Sequence, residues 1–140
     1  MAKVRARFLI DTSALARMPV PAVREVLAPL LESGEAATCS VIDLEVLYSA
    51  RNSEDYEEIR HRRALAYTPV PVGEETLARA LEVQRELARR GRHRVAIPDL
   101  IIAAAAEVSH LTVLHYDRDF DQIAEVTGQP TQWVVPRGSV

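Results

Sequence analysis

Residues 8–15, Phe-Leu-Ile-Asp-Thr-Ser-Ala-Leu, constrain the fold of this chain more than any other stretch. Phe8, Leu9 and Ile10 are too few for a helix and read as a short buried strand, stopped by polar residues. Asp11, Thr12 and Ser13 are all types that cap a helix start, and an apolar helical pattern follows them. The Asp11 carboxylate therefore falls where a strand ends and a helix begins. In open α/β folds, ligands bind in that place, outside the carboxyl ends of the strands. Asp11 is expected to be one corner of an acidic metal site, with other carboxylates brought to it by the rest of the chain. The competing reading of Asp11 alone is a plain helix cap.

The pattern beyond this stretch alternates helices and strands. A helix is predicted over 21–31, with Val23, Val26, Leu27, Leu30 and Leu31 as its apolar stripe and a kink or break at Pro29. Residues 35–39 suit a short strand. Ser40 and Asp43 resemble a capping box opening a helix over 41–50, and Ser53 and Asp55 open another with a charged, solvated face. Pro69 and Pro71 restrict residues 67–72 to an edge strand or a turn-rich connection. An amphipathic helix is predicted over 74–89, ended by Gly91 and followed by the basic loop Arg92-His93-Arg94. Pro98 suits the first turn of a buried helix over 99–108. A strand over 112–115, a helix over 117–126 and a last strand over 131–135 complete an α/β domain with a mainly parallel sheet. At 140 residues the chain is long enough for one domain with its own core.

Four places put a carboxylate where composition alone would not. Besides Asp11, Glu45 lies in Val41-Ile42-Asp43-Leu44-Glu45-Val46-Leu47-Tyr48, which leaves almost no polar face. A buried Glu needs a partner, either a metal site or a salt bridge to a base such as Arg51. Asp99 opens a helix rich in small Ala residues, which would hold it on a rigid, closely packed element. Its competing reading is a first-turn acid favoured by the helix dipole. Asp117, Asp119 and Asp121 follow the strand that ends at His115; Gln122 at the sixth position argues against a calcium loop. Which of these acids faces the site is left open by the spacing.

Carboxylates gathered in one crevice repel one another unless a cation neutralises them, and an all-oxygen ligand set selects Mg²⁺ or Mn²⁺ over zinc. Hydrolysis of a phosphodiester is the chemistry that uses such a site. The formal net charge of −3 provides no global basic field for a nucleic acid, so the metal must supply part of the positive charge. Arg85, Arg89, Arg90, Arg92, His93 and Arg94 form a local basic cluster, of which Arg89, Arg92 and Arg94 are candidate phosphate contacts. A solvated helix end is the competing reading of that cluster. The single Cys39 excludes an internal disulfide and is expected to pack as a small hydrophobe. His61, His93, His110 and His115 lack metal-ligand spacing and are expected at the surface. Arg5 and Arg7, with Lys3, precede too short an apolar run for a signal peptide, and no run is long enough to span a bilayer. A cytoplasmic protein is expected.

Ile10-Asp11-Thr12-Ser13-Ala14-Leu15, Asp43-Leu44-Glu45-Val46, Ile97-Pro98-Asp99-Leu100-Ile101-Ile102-Ala103-Ala104 and Tyr116-Asp117-Arg118-Asp119-Phe120 resemble the four motifs of PIN-domain ribonucleases. The likeness is greatest to the VapC toxins of type II (VapBC) toxin–antitoxin pairs. It implies one PIN domain over 1–140, a small, mainly parallel twisted sheet flanked by helices. Residues 1–7 form an N-terminal extension and 136–140 a tail with no assigned role. The resemblance further implies Mg²⁺-dependent endoribonuclease activity, with Mn²⁺ able to substitute. It implies a homodimer inhibited by a VapB-type antitoxin, with DNA bound only indirectly through that antitoxin. Asp11, Glu45, Asp99 and Asp117 match the family's acidic quartet, with Asp11, Asp99 and Asp117 on the metal, and Asp119 matches an accessory acid. Thr12 or Ser13 matches a hydroxyl that family sites use to hold water or metal. His115 stands where a small hydroxyl residue is common in the family. The alternative is a catalytically silent PIN fold that binds RNA or protein.

Overall fold

The computed structural model describes residues 5–140; Lys3 and the start of the N-terminal extension lie outside them. Five short strands form one sheet: β1 (Phe8–Ile10), β2 (Ala36–Thr38), β3 (Thr68–Pro69), β4 (Thr112–His115) and β5 (Thr131–Trp133). Their order is β3-β2-β1-β4-β5 and every pairing is parallel. In the central strand, Phe8 pairs with Ala36 on one side and Thr112 on the other, and Leu9 with Ala37 and Val113. Seven helices connect the strands: α1 (Thr12–Leu15), α2 (Pro21–Glu32), α3 (Ser40–Tyr48), α4 (Ser53–Ala66), α5 (Glu74–Arg89), α6 (Ile97–Val108) and α7 (Asp119–Thr127). Among the described residues, no helix is long and apolar enough to cross a membrane.

Alternation of side chains along each strand supplies two cores. Leu9, Ala37 and Val113 point to one face, where they meet α5, α6 and α7 through Leu87, Ile102, Ala105, Phe120 and Ile123. Ile10, Ala36 and Leu114 point to the other, covered by α1 and α2 through Ala14, Val23 and Leu27. With both faces covered, the three inner strands read as largely apolar runs, as buried parallel strands do, whereas the edge strands β3 and β5 carry polar residues. The chain leaves β1 for β2 on one side, while β4 lies on its other side. The strand order therefore reverses between β1 and β4, and the crevice at their carboxyl ends is flanked by residues 11 and 115–119.

Most expected elements are present with small changes at their ends. The helix predicted to kink or break at Pro29 runs on to Glu32, and the Ser33 N–H donates to the Pro29 carbonyl at 3.0 Å. Pro29 occupies an exposed position, where water can serve the carbonyl that proline leaves without a donor. The capping box predicted for Ser40 and Asp43 does not form. Cys39 is the N-cap of α3 and makes no side-chain cap, because Asp43 is drawn away by Thr38 Oγ1 at 2.8 Å and by the Arg63 guanidinium at 3.1 Å. Asn52 caps α4 by accepting the Asp55 N–H at 2.8 Å. Residues 67–72 yield only a two-residue edge strand, as their prolines dictate. Helix α7 starts at Asp119 rather than 117, and β5 ends at Trp133 rather than 135.

Helix α6 places one of the acids. Ala103, Ala104, Ala105 and Ala106 are all buried, and their small side chains let the helix lie against α5, α7 and β4. Overpacking such a face is costly, so Ala105→Leu should lower the unfolding free energy by about 1–3 kcal/mol in denaturant titration.

Candidate metal centre

Asp11 ends β1 and caps α1. Its N–H still follows the sheet, donating to the Leu114 carbonyl at 3.0 Å, while its Oδ2 accepts the Ser13 N–H at 3.0 Å. Residue and function coincide here, because the cap holds the carboxylate at the strand end. The side chain is 2% exposed, and its Oδ1 is buried with no hydrogen-bond partner. Burial raises its pKa; the Ser13 hydrogen bonds oppose this and the neighbouring Asp117 charge adds to it. An unpartnered carboxylate oxygen in such a place calls for a cation or a proton.

Three further carboxylates form a group of their own near it; Asp11 lies outside that group and is linked to Asp99 and Asp117 through charge. Asp99 in the first turn of α6, Asp117 between β4 and α7, and Asp119 at the start of α7 each offer an oxygen, all within 4.8 Å of one another. The Asp99 pKa is pushed up to about 8, first by burial and then by the charges of Asp11 and Asp117 and the hydrogen bond with Asp119. This is the response of a carboxylate kept among other carboxylates without a counter-charge. The donor set of Asp99, Asp117 and Asp119 consists of oxygen atoms and carries excess negative charge, with the orphaned Asp11 Oδ1 buried nearby. It fits a hard divalent cation.

Backbone hydrogen bonds fix the turn that carries two of the acids. Ser13 Oγ accepts the Tyr116 N–H at 2.8 Å, joining α1 to the end of β4. The Arg17 guanidinium lies 4.1 Å from the Tyr116 ring centroid and donates to the Ser13 carbonyl at 2.8 Å. Asp117 Oδ1 accepts the Asp119 N–H at 2.9 Å. The accessory hydroxyl of Ser13 is thus engaged in holding the turn, and Thr12 is half-buried beside it.

The environment of Glu45 differs from the sequence expectation. Only Ile42 of α3 is buried, and Glu45 is exposed; its neighbours Leu44 and Tyr48 are 66% and 92% exposed. Leu44 and Tyr48 therefore face outwards, while Ile42, Val41 and Val46 pack towards the core. The suggested salt bridge to Arg51 is absent, since Arg51 pairs with Asp55 at 3.4 Å. Partial desolvation raises the Glu45 pKa and the Asp11 charge adds to it. His115, expected at the surface, is fully buried at the end of β4, whereas His61, His93 and His110 are exposed. The strand pleat turns residue 115 to the same side as Val113, into the core, whatever its polarity. Cys39 is buried as expected, and burial raises its thiol pKa.

Two members of the basic cluster are paired. Arg89 contacts Glu86, and Arg92 meets Glu125 at 2.9 Å, while Arg94 has no ion-pair partner among the described residues. The Ala96 N–H reaches Asp119 Oδ2 at 3.5 Å, so the loop carrying Arg94 borders the acidic group. Arg63 escaped sequence analysis. Its guanidinium is largely buried, bridges Thr38 and Asp43, and stacks 4.4 Å from the Tyr67 ring centroid, fixing α4 to the rim near β2. Its place among Arg60, Arg62 and other charges on α4 gave no local signal that it would turn inward.

Comparison with known proteins agrees with this geometry. The sequence profile of the PIN domain family matches residues 8–126. Ribonuclease VapC51 of Mycobacterium tuberculosis is 47% identical over 137 residues, 96% of this chain and 97% of that protein. Ribonuclease VapC18 of the same organism is 43% identical over 136 residues, 95% of this chain and 98% of that protein. Among solved structures, the toxin–antitoxin complex VapBC-5 of M. tuberculosis contains a chain 25% identical, with a TM-score of 0.62, covering 91% of this chain and 98% of that one. A chain of DNA-bound VapBC from Salmonella typhimurium shares the fold at 19% identity and a TM-score of 0.74, covering 93% of this chain and 99% of that one. The chain therefore belongs to the PIN-domain proteins of the VapC type.

Proposed function

We propose that this protein is a VapC-type endoribonuclease toxin that hydrolyses RNA phosphodiester bonds with Mg²⁺, or Mn²⁺ in its place. The observation that carries the reading is the group Asp99, Asp117 and Asp119 beside the buried, unpartnered Asp11 Oδ1. Asp11, Asp99 and Asp117 would hold the metal, with Asp119 accessory. When bound, the cation supplies the positive charge that acidifies water, attracts the phosphate and stabilises the leaving oxygen. Glu45, exposed and with a pKa raised in part by the Asp11 charge, is suited to take a proton from water in solvent contact. Ser13 holds Tyr116 and Asp11 in register across the crevice. Arg94 is the free cation of the basic loop among the described residues and provides a phosphate contact; Arg89 and Arg92 would first have to leave Glu86 and Glu125.

Two surfaces support the remaining partners of this reading. Between α5 and α6 lies a groove of about 370 Å³ lined by uncharged residues, with Leu81 66% and Ile97 65% exposed at its rim. An uncharged apolar patch suits a copy of itself across a two-fold axis, so it is assigned to a homodimer. A second groove of about 580 Å³ between α3 and α4 combines Leu44 and Leu47 with His61 and with the ion pairs Arg60–Glu57 and Arg63–Asp43. It suits an apolar segment with polar side chains, and is assigned to the VapB-type antitoxin, through which any DNA contact would be indirect. We assign residues 1–140 to one PIN domain acting in the cytoplasm.

Purified protein incubated with mixed cellular RNA should cleave it with Mg²⁺ or Mn²⁺ and not with EDTA, as read by end-mapping. Absence of cleavage by folded protein under any metal would favour the silent binding module. Asp99→Asn should cost several kcal/mol of transition-state stabilisation, more than about a hundredfold in rate. The metal-free variant should nevertheless be more stable than wild type at pH 8. The folded state holds the Asp99 proton to about pH 8, whereas the unfolded chain releases it near 3.8. Its stabilising effect is thus full below the lower value and is lost as pH rises through the upper one. Differential scanning calorimetry of both proteins at pH 5 and pH 8 checks the sign. Leu81→Glu should convert the dimer to a monomer in light scattering.

A further inference from the structure

His115 is a buried group that the proposed chemistry leaves unused and that touches the site. It is the last residue of β4 and is fully buried. Its ring sits between Phe120 and Trp133, each with a centroid 5.0 Å away, and Trp133 is itself held by Nε1–H bonds to both carboxylate oxygens of Asp121 at 3.2 Å. These contacts orient the imidazole so that Nδ1 accepts the Asp117 N–H at 3.1 Å. An amide can only donate, so Nδ1 is bare and the ring proton resides on Nε2. Nε2 is buried and has no partner. An apolar side chain would fill this position without that unmet donor, so the imidazole costs packing stability and must supply something else.

What it supplies is the acceptor that Asp117 otherwise lacks. Strand β4 ends at His115 and helix α7 begins at Asp119, so neither element serves the amide of residue 117. The neighbouring amides of this turn also rely on side chains: Tyr116 on Ser13 Oγ and Asp119 on Asp117 Oδ1. Displacing the Asp117 backbone would therefore move both acids of the turn. We propose that His115 is a positioning residue whose Nδ1 fixes the backbone of Asp117 and thereby aims the Asp117 and Asp119 carboxylates at the metal centre. This rests on the metal-site reading above.

The test uses the full chain and Mn²⁺ as the probe. His115→Asn retains an acceptor oxygen near the place of Nδ1; His115→Leu fills the space without one; His115→Gln moves its polar group towards the place of Nε2. Thermal unfolding identifies the variants that fold. Wild type should show ¹⁵N–¹⁵N coupling across the Asp117 N–H···Nδ1 bond, and the Asp117 amide should exchange faster in the Leu and Gln variants. Calorimetric Mn²⁺ affinity should stay close to wild type in His115→Asn and fall roughly 10–100-fold in whichever of the Leu and Gln variants folds. A folded Leu or Gln variant with wild-type affinity would overturn the proposal, as would absence of the coupling in wild type. Failure of wild type itself to bind Mn²⁺ would instead defeat the metal-site reading, and the aiming of acids at a metal with it, while the coupling still reports whether Nδ1 holds the Asp117 amide.

Discussion

Electrostatic repulsion among carboxylates at one end of a parallel sheet is the constraint on which this structure depends. Asp11, Asp99 and Asp117 belong to three different elements, and each raises or is raised by another through its charge. In water such groups would move apart. Here each is held in place by an element whose position is set elsewhere: β1 by its two parallel neighbours, α6 by its alanine face, and the turn after β4 by side chains that accept its amides. Hydrophobic burial on both faces of the sheet supplies the stability that offsets this local repulsion. The result is a preorganised negative site, which is what a hard cation needs and what RNA without that cation would avoid.

The same arrangement explains why a chain with a net charge of −3 can act on a polyanion. Little of the basic content lies free at the crevice, because Arg89, Arg92 and Arg63 are engaged with Glu86, Glu125 and Asp43. Arg63 ties α4 to α3 and Arg92 ties the loop after α5 to α7, whereas the Arg89–Glu86 pair lies within α5. The exposed pairs contribute little individually, whereas the largely buried Arg63 also packs against Tyr67 and bonds to Thr38, so it has the greater structural role. On the proposed reading, positive charge at the reacting phosphate would come from the metal and from Arg94.

The alternation of strands and helices, the parallel sheet, the Asp11 cap and the long helices α5 and α6 were all legible in the sequence. They rest on local rules: periodicity, capping residues and the placement of proline and glycine within a few positions. The acids at the strand ends were legible for the same reason, since a residue that follows a buried apolar strand in a doubly wound fold has only one end of the sheet to occupy.

What the tertiary structure decided was which surface each side chain meets. Glu45 looked buried because its helix is apolar, yet α3 turns Leu44 and Tyr48 outwards and leaves Glu45 accessible. His115 looked like a surface residue because imidazole is polar, yet the pleat of β4 and the rings of Phe120 and Trp133 enclose it. Asp43 read as a cap until Arg63, 20 residues away, drew it off. Asp119 entered the acidic trio because the turn from β4 into α7 sets it opposite α6, a relation between elements that its spacing from Asp117 does not contain. Sequence periodicity reports which side of an element a residue is on; burial, pairing and charge proximity depend on what packs against that side, and this is set by contacts far apart in the chain.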